Sequence, residues 1–310
     1  MDDSVREWRV PVRPPYRLDL TATVLRRLST NVVDVFDGQT YRRMVGDRLS
    51  PLLLEVRQPT QEALVVRASG DPSVLRAADA SGAGIAGLVA RMLGCDADLE
   101  PFYAGAAEFP WLHSLTAAAR GVKPPRYPTL WEAIVNAVVF QQVSIHAAAA
   151  ILRRVIERYE PLRDLGAFAL APFPVPQLIA DADPLELRAL GLSVNKVVAL
   201  RTLARAVLSG ELDGAQLETV VTDELVAHLA TFKGIGPWTA AVIALRGFGR
   251  LDIFPLNDSG VARSLKELSG DPAIDASAIL ARLGAQRGML YYHLLIGRLA
   301  ARGEITFAAR

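Results

Sequence analysis

Two glycines separated by one isoleucine, set between helical stretches, constrain this chain more than any other feature. The segment reads Leu229-Ala-Thr-Phe-Lys-Gly234-Ile-Gly236-Pro-Trp-Thr-Ala-Ala241. One helix is expected to end near Thr231 and the next to begin near Pro237, since proline suits the first helical position. Glycine accepts the positive φ of a tight turn and leaves the backbone bare to anything that approaches it. The second helix then points unpaired N–H groups and the positive end of its dipole at that spot. A phosphate oxygen is the natural occupant, with Ile235 as the apolar plug that anchors the turn. Taken alone, the same text also describes an ordinary corner between two helices.

The flanking sequence divides the chain in two. Pro51–Arg57 and Ala63–Ala68 are apolar and β-branched, and a Pro-containing turn at Gln58–Gln61 joins them as a hairpin. Tyr41–Val45 supplies another strand, and Ala22–Leu28 and Ile85–Leu93 have helical spacing. A small antiparallel sheet with helices on one face is the simplest assembly. From about Phe109 onward strand signals nearly vanish. Thr129-Leu-Trp-Glu132 reads as a capping box and Ser144 as an N-cap. Asp183-Pro184 opens a further helix. Later helices are expected at Leu225–Leu229, Thr239–Leu245, Val261–Leu268 and Leu290–Leu299. The fold class is therefore α+β: a mixed α/β domain over residues 1–106, then a helical region over 107–310 carrying the hairpin at 229–241.

Composition excludes several classes of chemistry. The single cysteine, Cys95, cannot build an intrachain disulfide, a cysteine metal site or a four-cysteine iron–sulfur cluster. It is expected to be a half-buried small hydrophobe. Four histidines (His113, His146, His228 and His293) lack metal-ligand spacing, so no catalytic metal is indicated. No apolar run approaches the roughly 20 residues of a membrane helix. The opening MDDSVREWRV has neither a basic start nor an apolar stretch, and the expectation is a cytoplasmic monomer without a membrane partner. The net charge of +1 neither supports nor excludes nucleic acid.

Several segments together resemble the helix-hairpin-helix (HhH-GPD) DNA glycosylases, in particular the AlkA-type 3-methyladenine glycosylase II group. They are Phe232-Lys-Gly-Ile-Gly-Pro-Trp-Thr-Ala240, Ala244-Leu-Arg-Gly247 and Asp252-Ile-Phe-Pro-Leu-Asn-Asp258. Upstream, Phe140-Gln-Gln-Val-Ser144 and Leu187-Arg-Ala-Leu-Gly-Leu-Ser193 with Lys196 resemble two more family segments. The resemblance implies two helical subdomains behind the α/β domain. It also implies double-stranded DNA with damaged bases as partner, and base excision without a redox cofactor. It places the hairpin's backbone contacts at Lys233, Gly234, Ile235, Gly236 and Thr239. A structural Na or K ion is implied on the carbonyls of Ala230, Phe232 and Ile235.

The resemblance puts the catalytic acid at Asp258. Its position at the start of a helix also suits capping, and the two roles are compatible, since a helix N-terminus favours the charged carboxylate. Breaking an N-glycosidic bond builds positive charge on the sugar, which a fixed anion stabilises while it orients or deprotonates water. No second carboxyl stands out as a general acid. A base alkylated at N3 or N7 is already cationic and leaves without one. Bifunctional relatives carry a lysine nucleophile two residues after the second glycine. Here that position is Trp238, so no Schiff base forms there and no strand cleavage is expected.

An extruded base needs a pocket, and some side chain must fill the gap it leaves. Trp238, Tyr291 and Tyr292 are the pocket candidates, core packing being the other role for the tyrosines. Gln141 and Gln142 are the wedge candidates, a solvent-exposed turn being their alternative. Gln286–His293 lacks the tryptophans typical of the AlkA pattern, and Val242 stands where an aromatic is expected. Three readings stay open: an alkylpurine glycosylase, the same fold excising neutral lesions (hypoxanthine, uracil, an oxidised purine), or a non-catalytic damage-binding protein.

Overall fold

The computed structural model describes residues 3–46, 48–80, 84–256 and 258–307. The first third runs β1 (Val5–Pro11), α1 (Leu18–Arg26), β2 (Val35–Phe36), β3 (Thr40–Val45), β4 (Leu52–Thr60), β5 (Ala63–Ser69), α2 (Pro72–Ala80), α3 (Gly84–Met92) and α4 (Glu100–Ala106). Helices then dominate: α5 (Pro110–Ala118), α6 (Leu130–Val139) and α7 (Ile145–Tyr159) lead to a short ribbon, β6 (Arg163–Asp164) and β7 (Ala169–Leu170). After it come α8 (Pro176–Asp181), α9 (Pro184–Ala189), α10 (Val194–Ser209), α11 (Gly214–Leu217), α12 (Thr222–Ala230) and α13 (Pro237–Phe248). The described chain closes with α14 (Ser259–Ser269), α15 (Ala276–Leu283), a 3-10 turn at Gly284–Gln286 and α16 (Gly288–Ala301).

Alternation builds the sheet. Leu52, Leu54 and Val56 of β4 are buried, while the residues between them are more exposed, as a strand with one face on a core requires. The five strands are antiparallel in the order β1-β5-β4-β3-β2. Val56 lies opposite Tyr41 on one side and Val66 on the other. Strand β1 was not expected from the sequence. Of its residues only Val10 is fully buried, so its apolar signal is thin, and its pairing with β5 holds it in place.

One apolar core runs from Leu54, Val56, Leu64 and Val66 of the sheet into Ile134 and Val138 of α6 and Ile243 of α13. A second lies under α4, α5, α14, α15 and α16. Helix α1 sits between them, giving Ala22 and Leu25 to the first and Leu20 and Val24 to the second. Arg246 of α13 fixes its far end, donating from Nη2 to the carbonyls of Val24 and Leu25 at 3.1 and 3.3 Å. These carbonyls are among the last of the helix, where a cation is favourable.

The expected capping box at Thr129 is half realised. Thr129 Oγ1 accepts the Glu132 amide at 3.1 Å. The Glu132 carboxylate, instead of reaching back, turns to Arg43 of β3. Arg43 also donates to Asp34 Oδ1 at 2.7 Å, and the Tyr41 hydroxyl donates to the same oxygen at 2.6 Å. All three charged side chains are at most 3% exposed. Burial pushes the Glu132 carboxyl up to about 7, against the pull of the Arg43 guanidinium. Cys95, expected to be half-buried, is fully buried, and burial raises its thiol to about 12. No helix among the described residues is long and apolar enough to cross a membrane.

Candidate active site

Helices α7, α10, α13, α14 and α16 surround a cavity of about 1000 Å³, and Asp258 is the one carboxylate among its described lining residues. Arg27, Lys196, Arg263, Arg298 and Arg302 line it as well. A single anion thus sits in a basic surround.

Asp258 caps α14. Its Oδ1 accepts the amides of Gly260 and Val261 at 2.8 and 3.0 Å. Its Oδ2 accepts Trp238 Nε1–H at 2.9 Å. Three donors, two of them at the start of α14, therefore hold the carboxylate in one orientation. Gly260 lets this happen at close quarters: a Cβ there would lie 3.1 Å from Asp258 Oδ1 and 3.0 Å from Arg298 Nη1. Arg298 donates to the Gly260 carbonyl at 3.3 Å, tying α16 to the start of α14.

The hairpin between α12 and α13 forms as the sequence indicates, with a correction to the glycines. Only Gly234 uses positive φ (+97°). Its bare Cα serves packing, because a Cβ would sit 2.3 Å from Ala199 Cβ on α10. Gly236 is extended (φ −88°, ψ 177°) and caps α13, and a Cβ there would meet nothing within 4 Å. The first intrahelical bond of α13 runs from the Ala240 amide to the Gly236 carbonyl at 2.9 Å. The Trp238 and Thr239 amides come before it and are left for another acceptor. Ile235 is 4% exposed and plugs the turn as expected, its own amide bonded to the Phe232 carbonyl at 3.0 Å. Lys233 is exposed on the outer surface. Ala230 ends α12, so its carbonyl lies among those a helix leaves without an intrahelical partner, and the Phe232 carbonyl accepts the Ile235 amide. Gly234→Ala is expected to destabilise the protein by more than about 1 kcal/mol in urea unfolding, through both backbone strain and collision with α10.

The two glutamines separate in role. Gln141, expected as a wedge, instead brackets the site: its Nε2 donates to the Gly234 carbonyl at 2.9 Å and to Thr239 Oγ1 at 2.7 Å. Thr239 is accordingly 2% exposed, which leaves only its backbone amide suited to a ligand. Gln142 is exposed at the tip of the turn with φ +53°. Such a conformation is uncommon in a non-glycine residue. Lys196 secures the same turn from α10, donating to the carbonyls of Val139 and Gln141, both at 2.8 Å.

The tyrosines also separate. Tyr291 lines the cavity. Tyr292, expected in the pocket, is fully buried, and its hydroxyl is bonded to the carbonyls of Pro125 and Leu245 at 3.3 Å each. Neighbours on a helix point about 100° apart, so both could not face one cavity. Val242 is 2% exposed and belongs to the core. The sequence reading missed Arg27 and Arg298. Neither belongs to a motif, and only the packing of α1 and α16 brings them to the cavity.

Residues 135–285 match the HhH-GPD superfamily of base excision DNA repair proteins. The chain is 38% identical over 148 residues to DNA-3-methyladenine glycosylase 2 of Escherichia coli (strain K12), which covers 47% of this chain and 51% of that protein. It is 33% identical over 187 residues to the probable bifunctional transcriptional activator/DNA repair enzyme AlkA of Mycobacterium tuberculosis (strain ATCC 25618 / H37Rv), covering 59% of this chain and 36% of that protein. The chain thus spans about half the length of the first relative and about a third of the second. Among solved structures, the 3-methyladenine DNA-glycosylase from Archaeoglobus fulgidus shares the fold, with a TM-score of 0.76 at 22% identity over 94% of this chain and 99% of that chain.

Proposed function

We propose that this chain, whose residues 135–285 match the HhH-GPD superfamily of base excision DNA repair proteins, is a monofunctional DNA N-glycosylase that hydrolyses the bond between deoxyribose and an alkylated purine. The observation that carries this reading is Asp258, a carboxylate held by three donors in a cavity whose other charged lining residues, among those described, are arginines and a lysine. A protein that only gripped damaged DNA would gain nothing from an anion there, since carboxylates repel phosphates. The names of relatives that act on 3-methyladenine point to the same substrate class.

The amides of Trp238 and Thr239 and the bare Gly236 take a backbone phosphate, and the lesion swings out of the stack into the cavity. Gln142 enters the gap. Trp238 and Tyr291 hold the extruded ring by its face, where a cationic base is attracted to electron-rich aromatics. As the C1′–N bond breaks, the electron pair goes to the base, which neutralises it. The positive charge moves to the sugar, where Asp258 opposes it. Water adds to C1′ and its proton passes to the Asp258 carboxylate. Trp238 stands where an amine nucleophile would be needed for strand cleavage, so the product is an intact strand with an abasic site.

The test is base release from a methylated duplex. Free 3-methyladenine or 7-methylguanine is expected, with the strand uncut until alkali is added. Cleavage without alkali would overturn the monofunctional reading. Binding of an abasic duplex without release of any methylated base would overturn the alkylpurine reading. Gly236→Ala checks the grip separately. Losing a glycine cap and stiffening the unfolded chain nearly offset one another, so stability is expected to change by less than about 0.5 kcal/mol. Abasic-duplex binding, measured by fluorescence anisotropy, is expected to weaken by about tenfold, because the new methyl stands where the phosphate approaches.

A further inference from the structure

Arg27 stands at the end of α1, in a conformation that few arginines adopt. Its φ of 62° and ψ of −60°, with Leu28 N–H bonded to the Arg26 carbonyl at 2.8 Å, make it the centre of the rare, strained form of γ-turn. Arg246 holds that turn from behind through the Val24 and Leu25 carbonyls. Strain of this kind persists where the surrounding structure imposes it, and it clusters at ligand sites. The Arg27 guanidinium lies 4.0 Å over the Phe140 ring and faces the cavity that holds Asp258. The residue is 7% exposed. Among the described residues no carboxylate, carbonyl or hydroxyl pairs with its side chain. Arg43 of β3, also buried, has two carboxylates. None of the Arg27 nitrogens is sealed from solvent without a partner, so the N–H fork, stacked on one ring, stays open to the cavity.

We propose that Arg27 reads the extruded base and bears the negative charge that builds on a neutral purine as it leaves. This rests on the glycosylase reading above. A guanidinium fork matches a pair of acceptors, and in a purine the O6/N7 edge supplies that pair. Hypoxanthine offers both. A 6-amino purine turns a donor toward the fork, and 7-methylguanine carries a methyl group on N7. When the C1′–N9 bond of hypoxanthine breaks, the electron pair moves to N9 and spreads onto O6 and N7. The Arg27 hydrogen bonds strengthen as it does so. Water adds to C1′, its proton passes to Asp258, and the purine anion takes a proton from solvent. Asp258 thus serves the sugar and Arg27 the base, without a second carboxyl. Cationic alkylpurines need no such help and feel the same charge as repulsion. Normal guanine has the same edge, but it must first leave a G·C pair, which costs more than leaving a mismatch.

The test compares wild type, Arg27→Met and Arg27→Lys in single-turnover release from two duplexes. One carries hypoxanthine opposite T and the other 7-methylguanine opposite C. Abasic-duplex binding reports that each variant is folded. Arg27→Met is expected to slow hypoxanthine release by about 10²-fold, the size of losing a donor to a developing anion, with 7-methylguanine release unchanged or faster. Arg27→Lys keeps the charge but not the fork and is expected to recover only part of the loss. If Arg27→Met does not bind the abasic duplex, the Lys variant decides by the same ratio. Equal losses on both substrates would make Arg27 structural and overturn the proposal. Release of 7-methylguanine but not hypoxanthine by wild type would overturn it too, leaving the alkylpurine reading in place. Abasic-duplex binding with release of neither base would remove both.

Discussion

Asp258→Asn is expected to slow base release by about 10²–10⁴-fold, the usual share of a positioned acid–base group, while leaving the protein folded and able to bind DNA. The substitution is chosen for what it keeps. An asparagine oxygen still accepts the Gly260 and Val261 amides, and asparagine is as good an N-cap as aspartate. What it removes is the charge that opposes the sugar cation and the base that takes the proton from water. On the other side, its Nδ2 meets Trp238 Nε1–H, and two donors cannot pair. A loss of about 1 kcal/mol of stability is expected from that mismatch. Binding to an abasic duplex is expected to hold or tighten, since an anion near phosphates has gone. Single-turnover release and anisotropy, measured on the same preparation, check both halves. Release within tenfold of wild type would place the chemistry elsewhere.

Arg43→Met is expected to cost about 3–5 kcal/mol in urea unfolding, the usual penalty for leaving buried charge without its partner. The guanidinium joins Asp34 to Glu132 inside the protein, with all three side chains at most 3% exposed. Removing it leaves two buried carboxylates without their cation, with the Tyr41 hydroxyl and, at 3.5 Å, Asn31 Nδ2–H still on Asp34. Part of that cost is expected to return in the double variant Arg43→Met with Glu132→Gln, because one of the two stranded charges is then gone. The comparison separates the cost of an unpaired charge from the loss of shape. A single variant that unfolds at the wild-type urea midpoint would show that the cluster contributes nothing to stability.

How much of this was legible in the sequence follows from how local each signal is. The hairpin, the caps at Ser144, Asp183 and Asp258, and the separation of sheet from helices are set by neighbours in the chain. Propensity and spacing therefore report them. Strand β1 was missed because its partner is some 60 residues away and three of its own seven residues are charged. Tyr291 and Tyr292 are adjacent in sequence, and only the orientation of α16 decides which one meets the cavity. Gln141 and Gln142 differ in role because the hairpin happens to lie beside one of them, a fact held in no local pattern. Arg27 needed the most: the end of one helix, a carbonyl grip from another, and a ring from a third. The sequence offers an ordinary Arg-Arg pair at that point.

Gln141 ties the exposed turn to the hairpin, and Lys196 ties the same turn to α10. On the reading proposed above, the part that holds the backbone and the part that probes the stack are then one stiff block. A stiff probe cannot bend to the duplex, so the duplex must bend to it. Bending a short stretch of DNA costs of order 1–6 kcal/mol, and less at flexible pyrimidine–purine steps. Search then depends on the mechanics of the genome as well as on the lesion. A damaged base in a pliable stretch presents itself readily, and the same base in a stiff tract stays hidden longer.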